Sequence, residues 1–183
     1  KCWGMDGTGQ LGSGRSLMSL TPRNVMTAPC YDLSISKSGL GDNLIAIPAK
    51  SLTCTESRYV QGEKIQLLSN PANDWRVASW SGTVNDDTST ISNTVIMPAE
   101  NRTVAVNYVP ICYKLSLAKD GNGSVPVAQP ARSAACNVGE YVMGEVIALE
   151  AAPDNNWSIA SWTGTDNDAS SSTSNNLTMP NMA

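Results

Sequence analysis

The feature that most constrains this chain of 183 residues is that it aligns with itself, without a gap, at one fixed offset. At this offset Cys30 aligns with Cys112 and Pro98 aligns with Pro180. Roughly 33 of about 72 aligned positions are identical, and self-similarity at a fixed period is typical of tandem structural modules and not of a single enzyme fold. Large residues and cysteines are the same in both copies, while short polar residues differ between them. The repeat therefore indicates a shared scaffold and not a shared reaction centre.

Composition narrows the class of protein further. Only 15% of the residues are charged, and the net charge is −4 with a pI near 4.7. Nucleic-acid binders display clustered Lys and Arg, so we expect no nucleic-acid partner. No run of about 18 apolar residues occurs, so we expect no membrane span in this chain. Ser, Thr, Asn and Gly between short apolar clusters are typical of all-β modules with many turns.

The cysteines predict one disulfide in each module. Cys30 and Cys54 have the same separation in the sequence as Cys112 and Cys136. A zinc site would normally show close cysteine pairs or histidine, and the chain contains no histidine. The alternative is that buried free thiols were duplicated with the module. Disulfides persist outside the cytosol, so the pairing predicts an extracellular protein, with Cys2 left without a predicted partner.

Alternating apolar and polar residues predict the strands. The alternation begins after the first cysteine of each copy, at residues 31–36 and 113–118, and a Gly-rich turn and a hairpin should follow. The first copy ends with a further alternating run at residues 103–108. We expect the second copy to lack this final strand because the sequence ends at Ala183, and its absence would leave an open sheet edge if the strand pairs within the sheet.

Four tryptophans supply most of the predicted core. Trp75 and Trp80 repeat as Trp157 and Trp162, and each can bury on the order of 200 Å². The odd spacing within each pair predicts a bulge in that strand. A core position is expected for all four, since a chain without Phe must take bulk from Trp and Tyr. The alternative is that Trp75 and Trp157 stack on a sugar or a peptide at the surface.

The order of these features resembles a known family. Residues 30–109 contain, in sequence, Leu-x-Ile, Gly-x-Gly, Tyr-x-x-Gly, Trp-x-Val-x-x-Trp-x-Gly, Asn-x-x-x-Met-Pro and Thr-Val-x-Val-x-Tyr. This series is similar to the divergent internalin B-repeats of bacterial surface proteins, and residues 112–183 repeat most of it. The resemblance implies mostly β, β-grasp-like extracellular modules that act as stalks or adhesive spacers. The paired cysteines are an addition that the common family pattern does not require.

The N-terminal segment, residues 1–28, resembles a different family. The motif Trp-Gly-x-Asn-x-x-Gly-Gln-Leu-Gly of regulator-of-chromosome-condensation type β-propeller repeats is matched by Trp3, Gly4, Gly9, Gln10, Leu11 and Gly12, with Asp6 at the usual Asn position. The resemblance implies the remnant of one propeller repeat. One such repeat cannot bury its faces alone.

Few residues suggest chemistry. Without histidine, the Ser-His-acid and Cys-His arrangements are impossible within this chain. Asp166 with Asp168, and Asp120 with Asn122, offer oxygen ligands at a spacing that Ca²⁺ can use. The bidentate Glu of a calcium loop is missing, so solvated turns are the alternative. We therefore predict no catalytic residue, no bound cofactor and no metal site beyond these candidates.

Together these observations predict a mostly β chain with three parts. A propeller-type segment covers residues 1–29, and the two modules cover residues 30–109 and 110–183. The predicted role is that of a non-enzymatic extracellular spacer, stalk or adhesion segment of a bacterial surface or secreted protein, with an unidentified surface protein or glycan as partner. The alternatives are a carbohydrate- or protein-binding module that uses Trp75 and Trp157, and an accessory module of a secreted hydrolase.

Overall fold

The described part of the chain is built only from strands and loops. The computed structural model describes residues 2–5, 18–23 and 28–180. Within these residues the chain forms fourteen strands and no helix, which confirms the all-β prediction. None of the described residues therefore forms a helix that could cross a membrane.

The N-terminal segment contributes one pair of strands. Strand β1 (Cys2–Met5) pairs antiparallel with β2 (Met18–Arg23), with an irregularity in register between Cys2 and Gly4. Residues 6–17, which include Gly9 to Gly12 of the propeller-like motif, lie outside the described residues. The resemblance of this segment to a propeller repeat stays a prediction.

The first module contains seven strands in two sheets. They are β3 (Cys30–Ser38), β4 (Ile45–Ile47), β5 (Arg58–Val60), β6 (Lys64–Leu68), β7 (Trp75–Ser81), β8 (Ser92–Ile96) and β9 (Arg102–Pro110). One sheet has the order β5-β3-β9-β7 and the other has the order β4-β6-β8. The hairpin expected after the Gly-rich turn is wrong, because β4 pairs with β6 and not with β3.

Strand β9 organises the four-stranded sheet. It lies between β3, to which it is parallel, and β7, to which it is antiparallel. The pairing with β7 shifts between Val77 and Ser79, at the place where the sequence predicts a bulge. Val104, Val106 and Tyr108 alternate along β9 and are almost completely buried, at 0%, 1% and 2% exposure. β7 therefore pairs with β9 alone in this sheet, whereas β3 pairs with both β9 and β5.

The core of the first module lies between its two sheets. Alternate residues of each strand point inward, since side chains of a strand alternate between its faces. The buried cluster consists of Leu33, Leu44, Tyr59, Ile65, Leu67, Val77, Trp80, Val95, Met97, Val104, Val106 and Tyr108. Trp75 is only partly buried and packs against this cluster.

Both predicted disulfides are present. Cys30 bonds to Cys54 with a Cα–Cα distance of 5.9 Å, and Cys112 bonds to Cys136 with a distance of 5.8 Å. These Cα–Cα distances lie within the range of ordinary disulfides. The sequence-based prediction of two tandem modules, each closed by its own disulfide, is confirmed.

A hydrogen-bond network next to each disulfide repeats between the modules. In the first, the Ser51 hydroxyl donates to Glu63 and accepts from the Val60 N–H at 2.9 Å. In the second, Ser133 takes the place of Ser51, donating to Glu145 and accepting from the Val142 N–H.

A buried tyrosine completes the network in each module. The Tyr59 hydroxyl donates to the Pro48 carbonyl at 2.8 Å, and Tyr141 donates to Pro130 at the same distance. Burial raises the pKa of both tyrosines. The two modules therefore share one local structure around the disulfide.

The second module keeps fewer strands. They are β10 (Tyr113–Lys114), β11 (Gly123–Gln129), β12 (Glu140–Tyr141), β13 (Val146–Pro153) and β14 (Ser174–Thr178). The β11-β13-β14 sheet corresponds to the β4-β6-β8 sheet of the first module, and β10 pairs with β12 as β3 pairs with β5. No described strand corresponds to β9.

Candidate functional site

The candidate site is a groove in the second module where β9 lies in the first. Residues 115–120 correspond to the part of β3 that pairs with β9, and residues 157–163 correspond to β7. Neither segment forms a strand in the second module. We call the space between them the strand groove. A strand needs a hydrogen-bonded neighbour, so both segments lose regular structure where the described residues supply none.

The backbone along the strand groove has free hydrogen-bonding capacity. Leu115 donates to the Gly139 carbonyl at 2.9 Å, as Leu33 does to Ser57, but within the described chain the amides of residues 116–119 donate to no backbone carbonyl. The backbone N–H groups of Trp157 and Trp162 each donate to a carbonyl. Between them, the amides of residues 158–161 donate to no backbone carbonyl of the described chain. Unpaired edges of this kind are where a further strand can be added.

The floor of the strand groove is apolar. The groove has a volume of about 960 Å³. Its apolar lining includes Leu115, Leu117, Leu149, Trp157, Trp162 and Leu177. Leu115 and Trp162 are half-buried, while their counterparts Leu33 and Trp80 are 4% exposed in the first module. The more exposed surface of Leu115 and Trp162 lies at the position that Val104, Val106 and Tyr108 of β9 occupy in the first module.

The four tryptophans, all of which the sequence predicts to be core residues, lie in different environments in the structure. Trp80 lies in the core, Trp75 packs against it, and Trp162 packs against the smaller core of the second module. Trp157 is 52% exposed and outside that core, so its predicted core position is wrong. The reason is non-local, because β9 pairs with β7 beside Trp75 and no described strand lies beside Trp157.

The acidic calcium candidates are engaged in hydrogen bonds. Asp168 accepts from the Thr165 N–H and hydroxyl at 2.8 Å and from the Gly164 N–H at 3.2 Å. These bonds hold the pKa of Asp168 below its usual value, with the Thr165 N–H making the largest contribution. Asp166 accepts from the N–H and hydroxyl of Thr178. Both carboxylates therefore shape the loop that leads to β14.

The other calcium candidates lie on the rim of the strand groove. Asp120 accepts from the Gly121 N–H at 2.9 Å, and Asn122 is exposed. Among the described residues, no three acidic or cysteine side chains gather closely enough to hold a metal ion. These residues are turn formers in the geometry described.

Two corresponding glycines differ in whether a described strand lies against them, and they give a matched prediction. Gly82 and Gly164 have φ of +76° and +77°. A Cβ on Gly82 would overlap the Thr103 carbonyl of β9, whereas a Cβ on Gly164 would meet nothing within 4 Å. Both alanine variants incur the left-handed backbone strain of about 1 kcal/mol. Gly82→Ala should destabilise its module by about 2 kcal/mol more than Gly164→Ala does.

Amide hydrogen exchange resolved by peptide measures this difference in each module separately. A smaller effect at Gly82 than at Gly164 would show that β9 does not pack against Gly82.

Comparison with known proteins identifies the repeat. A sequence model of the divergent InlB B-repeat domain matches residues 45–112 and again residues 113–183, which together cover more than half of the chain. No curated protein and no solved structure matches the chain significantly.

Proposed function

The chain belongs to the divergent InlB B-repeat domain family, and we propose that it acts outside the cell as a non-enzymatic, load-bearing spacer of a bacterial surface or secreted protein. Repeats of this family are typical of bacterial surface proteins. The two disulfides favour an oxidising compartment, because thiols are kept reduced in the cytosol. Surface labelling of intact cells with an antibody against the chain tests the location, and labelling only after lysis would contradict it.

The observation that carries the mechanical role is the parallel pairing of β3 and β9. The first module begins with β3 at Cys30 and ends with β9 at Pro110. Tension applied to these two ends slides the strands past each other. The six register pairs from Leu33–Arg102 to Ser38–Asn107 then share the load, instead of opening one at a time. An arrangement of this kind suits a stalk under tension.

The disulfide limits how far the module extends after it yields. Cys30 and Cys54 have a sequence separation of 24. An extended residue spans roughly 3.3–3.6 Å, so the bond withholds about 80 Å of chain. A spacer that gives way would therefore lengthen less than an uncrosslinked one.

Force spectroscopy of the full chain, held at its two ends, tests this role. The first module should yield at a higher force than the second, because only the first has the described parallel pair. At constant force with a reductant present, two further steps of about 80 Å each should follow unfolding, one as the Cys30–Cys54 bond is cut and one as the Cys112–Cys136 bond is cut. Double replacement of Cys30 and Cys54 by serine is the control that removes one of the two steps. Unfolding of the first module at a force as low as that of the second would contradict this role.

A binding role is the second candidate, and the exposure of Trp157 favours it. Trp75 packs against the core, so of the two tryptophans considered for binding only Trp157 presents half of its surface to solvent. Large exposed aromatic residues are enriched at sites of protein recognition. Trp157 also lies in the strand groove, which narrows the kind of ligand to consider.

A further inference from the structure

We propose that the solvent face of the β4-β6-β8 sheet in the first module binds an acidic oligosaccharide, whose carboxylate pairs with Lys64. The hydroxyl groups of the sugar bond to Gln66, Ser92 and Thr94. We call the surface formed by these four side chains and the loop beside them the outer-face groove. It consists only of first-module residues, so it is distinct from the strand groove, and binding there is independent of the mechanical role.

Four polar side chains form the floor of the outer-face groove. Side chains alternate between the two faces of a strand, so Lys64 and Gln66 of β6 lie on the face away from the core. Ser92 and Thr94 of β8 lie on the same face, because Gln66 pairs with Thr94 across the sheet. Partners of this kind lie about 5 Å apart. The strands therefore hold the four polar groups in a compact and regular array.

The loop between β7 and β8 forms one wall of the groove and is attached to β8. The Val84 N–H donates to the Thr94 carbonyl at 2.8 Å. The side-chain amide of Asn93 donates to the Thr83 hydroxyl and to the Asn85 carbonyl, both at 2.8 Å. A ligand therefore meets a wall that is already in place, which lowers the entropy cost of binding.

The outer-face groove has the size of a small-molecule site. Its volume is about 520 Å³, within the range of such sites. Val84 and Ile47 line its two sides and are 61% and 47% exposed. Ile47 belongs to β4 and pairs with Gln66, so it lies across the floor from the loop. The groove thus combines a polar floor with an apolar residue on each side.

The floor side chains have unused bonding capacity. Within the described chain, the bonds that reach Ser92 and Thr94 use only their backbone groups. Lys64 forms no salt bridge with a described residue, since the ion pair found there joins Arg58 and Asp32. Among the described lining residues, Lys64 is the one cation and none is acidic. The charge complementary to this groove is therefore negative.

The arrangement favours a sugar over a peptide. Backbone N–H and C=O groups of a sheet point to neighbouring strands, so its face offers only side chains. Hydroxyl and amide side chains both donate and accept hydrogen bonds, and sugar hydroxyls do the same. A net charge of −4 for the chain disfavours nucleic acid. We therefore commit to an oligosaccharide that carries a carboxylate.

The second module has the same frame with a different floor. The loop before β14 is attached to that strand by equivalent backbone and side-chain hydrogen bonds. At the repeat offset, however, Val146 and Ala148 replace Lys64 and Gln66, and Asp166 replaces the apolar wall residue of the loop. The frame is therefore common to both copies, whereas the cation and amide of the floor belong to the first. The second module serves as an internal negative control.

Titration calorimetry of the full chain with defined sugars tests the proposal. The acidic probes are sialyllactose and a hyaluronan tetrasaccharide, and the neutral controls are lactose and chitotetraose. An acidic probe should bind saturably and roughly tenfold more tightly than its neutral control, because only the acidic probe forms a charged hydrogen bond with Lys64. Its affinity should fall as the salt concentration rises. In NMR spectra, the side-chain amide of Gln66 and the backbone amides of β6 and β8 should shift on binding.

Matched variants locate the site. Lys64→Gln should weaken binding of the acidic probe roughly tenfold and remove its advantage over the neutral control. Lys114→Gln is the control, because Lys114 is exposed, does not line the groove and loses the same charge. Gln66→Ala introduces the residue found in the second module and should weaken acidic and neutral sugars by the same factor. All three side chains are exposed, so stability should not change measurably.

Four results would overturn the proposal. They are no saturable binding of either acidic probe, equal affinity for the neutral controls, NMR shifts confined to residues outside the β4-β6-β8 sheet and its loop, and full binding by Lys64→Gln. A tetraglutamate peptide that shifts the same amides while both sugars fail to bind would also overturn it. None of these results bears on the unfolding forces, so this proposal and the mechanical role can fail separately.

Discussion

Trp80→Ala is expected to destabilise the first module by about 3–5 kcal/mol, the usual effect of removing a large aromatic side chain from a core. Trp80 is 4% exposed within the main buried cluster, and its indole N–H donates to the Thr90 carbonyl at 3.0 Å. The substitution leaves a large cavity beneath β9 and removes the donor to that carbonyl. Native-state hydrogen exchange of peptides from residues 58–110 measures the loss.

Trp162→Ala is the matched control for this prediction. The indole N–H of Trp162 donates to the Ser172 carbonyl at the same distance of 3.0 Å, so the hydrogen bonds are equivalent. Trp162 is only half-buried, because no described strand lies over it. The loss of stability should be about half that at Trp80 or less. Equal losses in the two modules would contradict the assignment of Trp80 to a deeper core.

Double replacement of Cys30 and Cys54 by serine should destabilise the first module by about 3 kcal/mol, because closing a loop of this length restricts the unfolded chain. The bonded cysteines have a sequence separation of 24. Cys54 is also buried, at 7% exposure, so a serine hydroxyl there would lose hydration. Chemical denaturation of the variant, followed by hydrogen exchange in each module, measures the change.

The corresponding replacement of Cys112 and Cys136 provides the comparison. These cysteines also have a sequence separation of 24, so the loss in the second module should be similar, at about 3 kcal/mol. Each pair should affect its own module and leave the other unchanged. A loss below about 1 kcal/mol in either module would contradict the view that a disulfide is a main support of so small a core.

Local features of the fold were predictable from the sequence. The disulfides followed from equal cysteine spacing, β3 and β9 from strict alternation, and the bulge in β7 from the odd separation of Trp75 and Trp80. Each of these signals depends on neighbouring residues or on the exact repeat. The same local pattern at residues 115–120 and 157–163 forms no strand in the second module, so local sequence alone does not specify these elements.

Pairing between distant strands was not predictable in the same way. β4 was expected to form a hairpin with β3, but β3 pairs with β5 and β9 on its two sides. β4 instead pairs with β6 in the other sheet. The parallel pairing of β3 with β9 joins opposite ends of the module, with Leu33 opposite Arg102.

The candidate site was only partly predictable for the same reason. The sequence indicated that a final strand would be missing from the second copy and that an open edge would result. The structure shows a groove inside the module instead, because β9 occupies an inner position in the order β5-β3-β9-β7. Trp157 shares its local sequence with Trp75, and only the strand beside it decides whether it is covered.

The most direct test of the central claim, that β9 holds β7 in the sheet of the first module, is hydrogen exchange on the unaltered chain. The amides of residues 76–79 that face β9 should be protected, because β9 pairs with β7 in this stretch. The amides of residues 158–161 should exchange at rates close to those of an unstructured peptide, since they donate to no backbone carbonyl of the described chain. Exchange of the β7 amides as fast as that of residues 158–161 would contradict the claim.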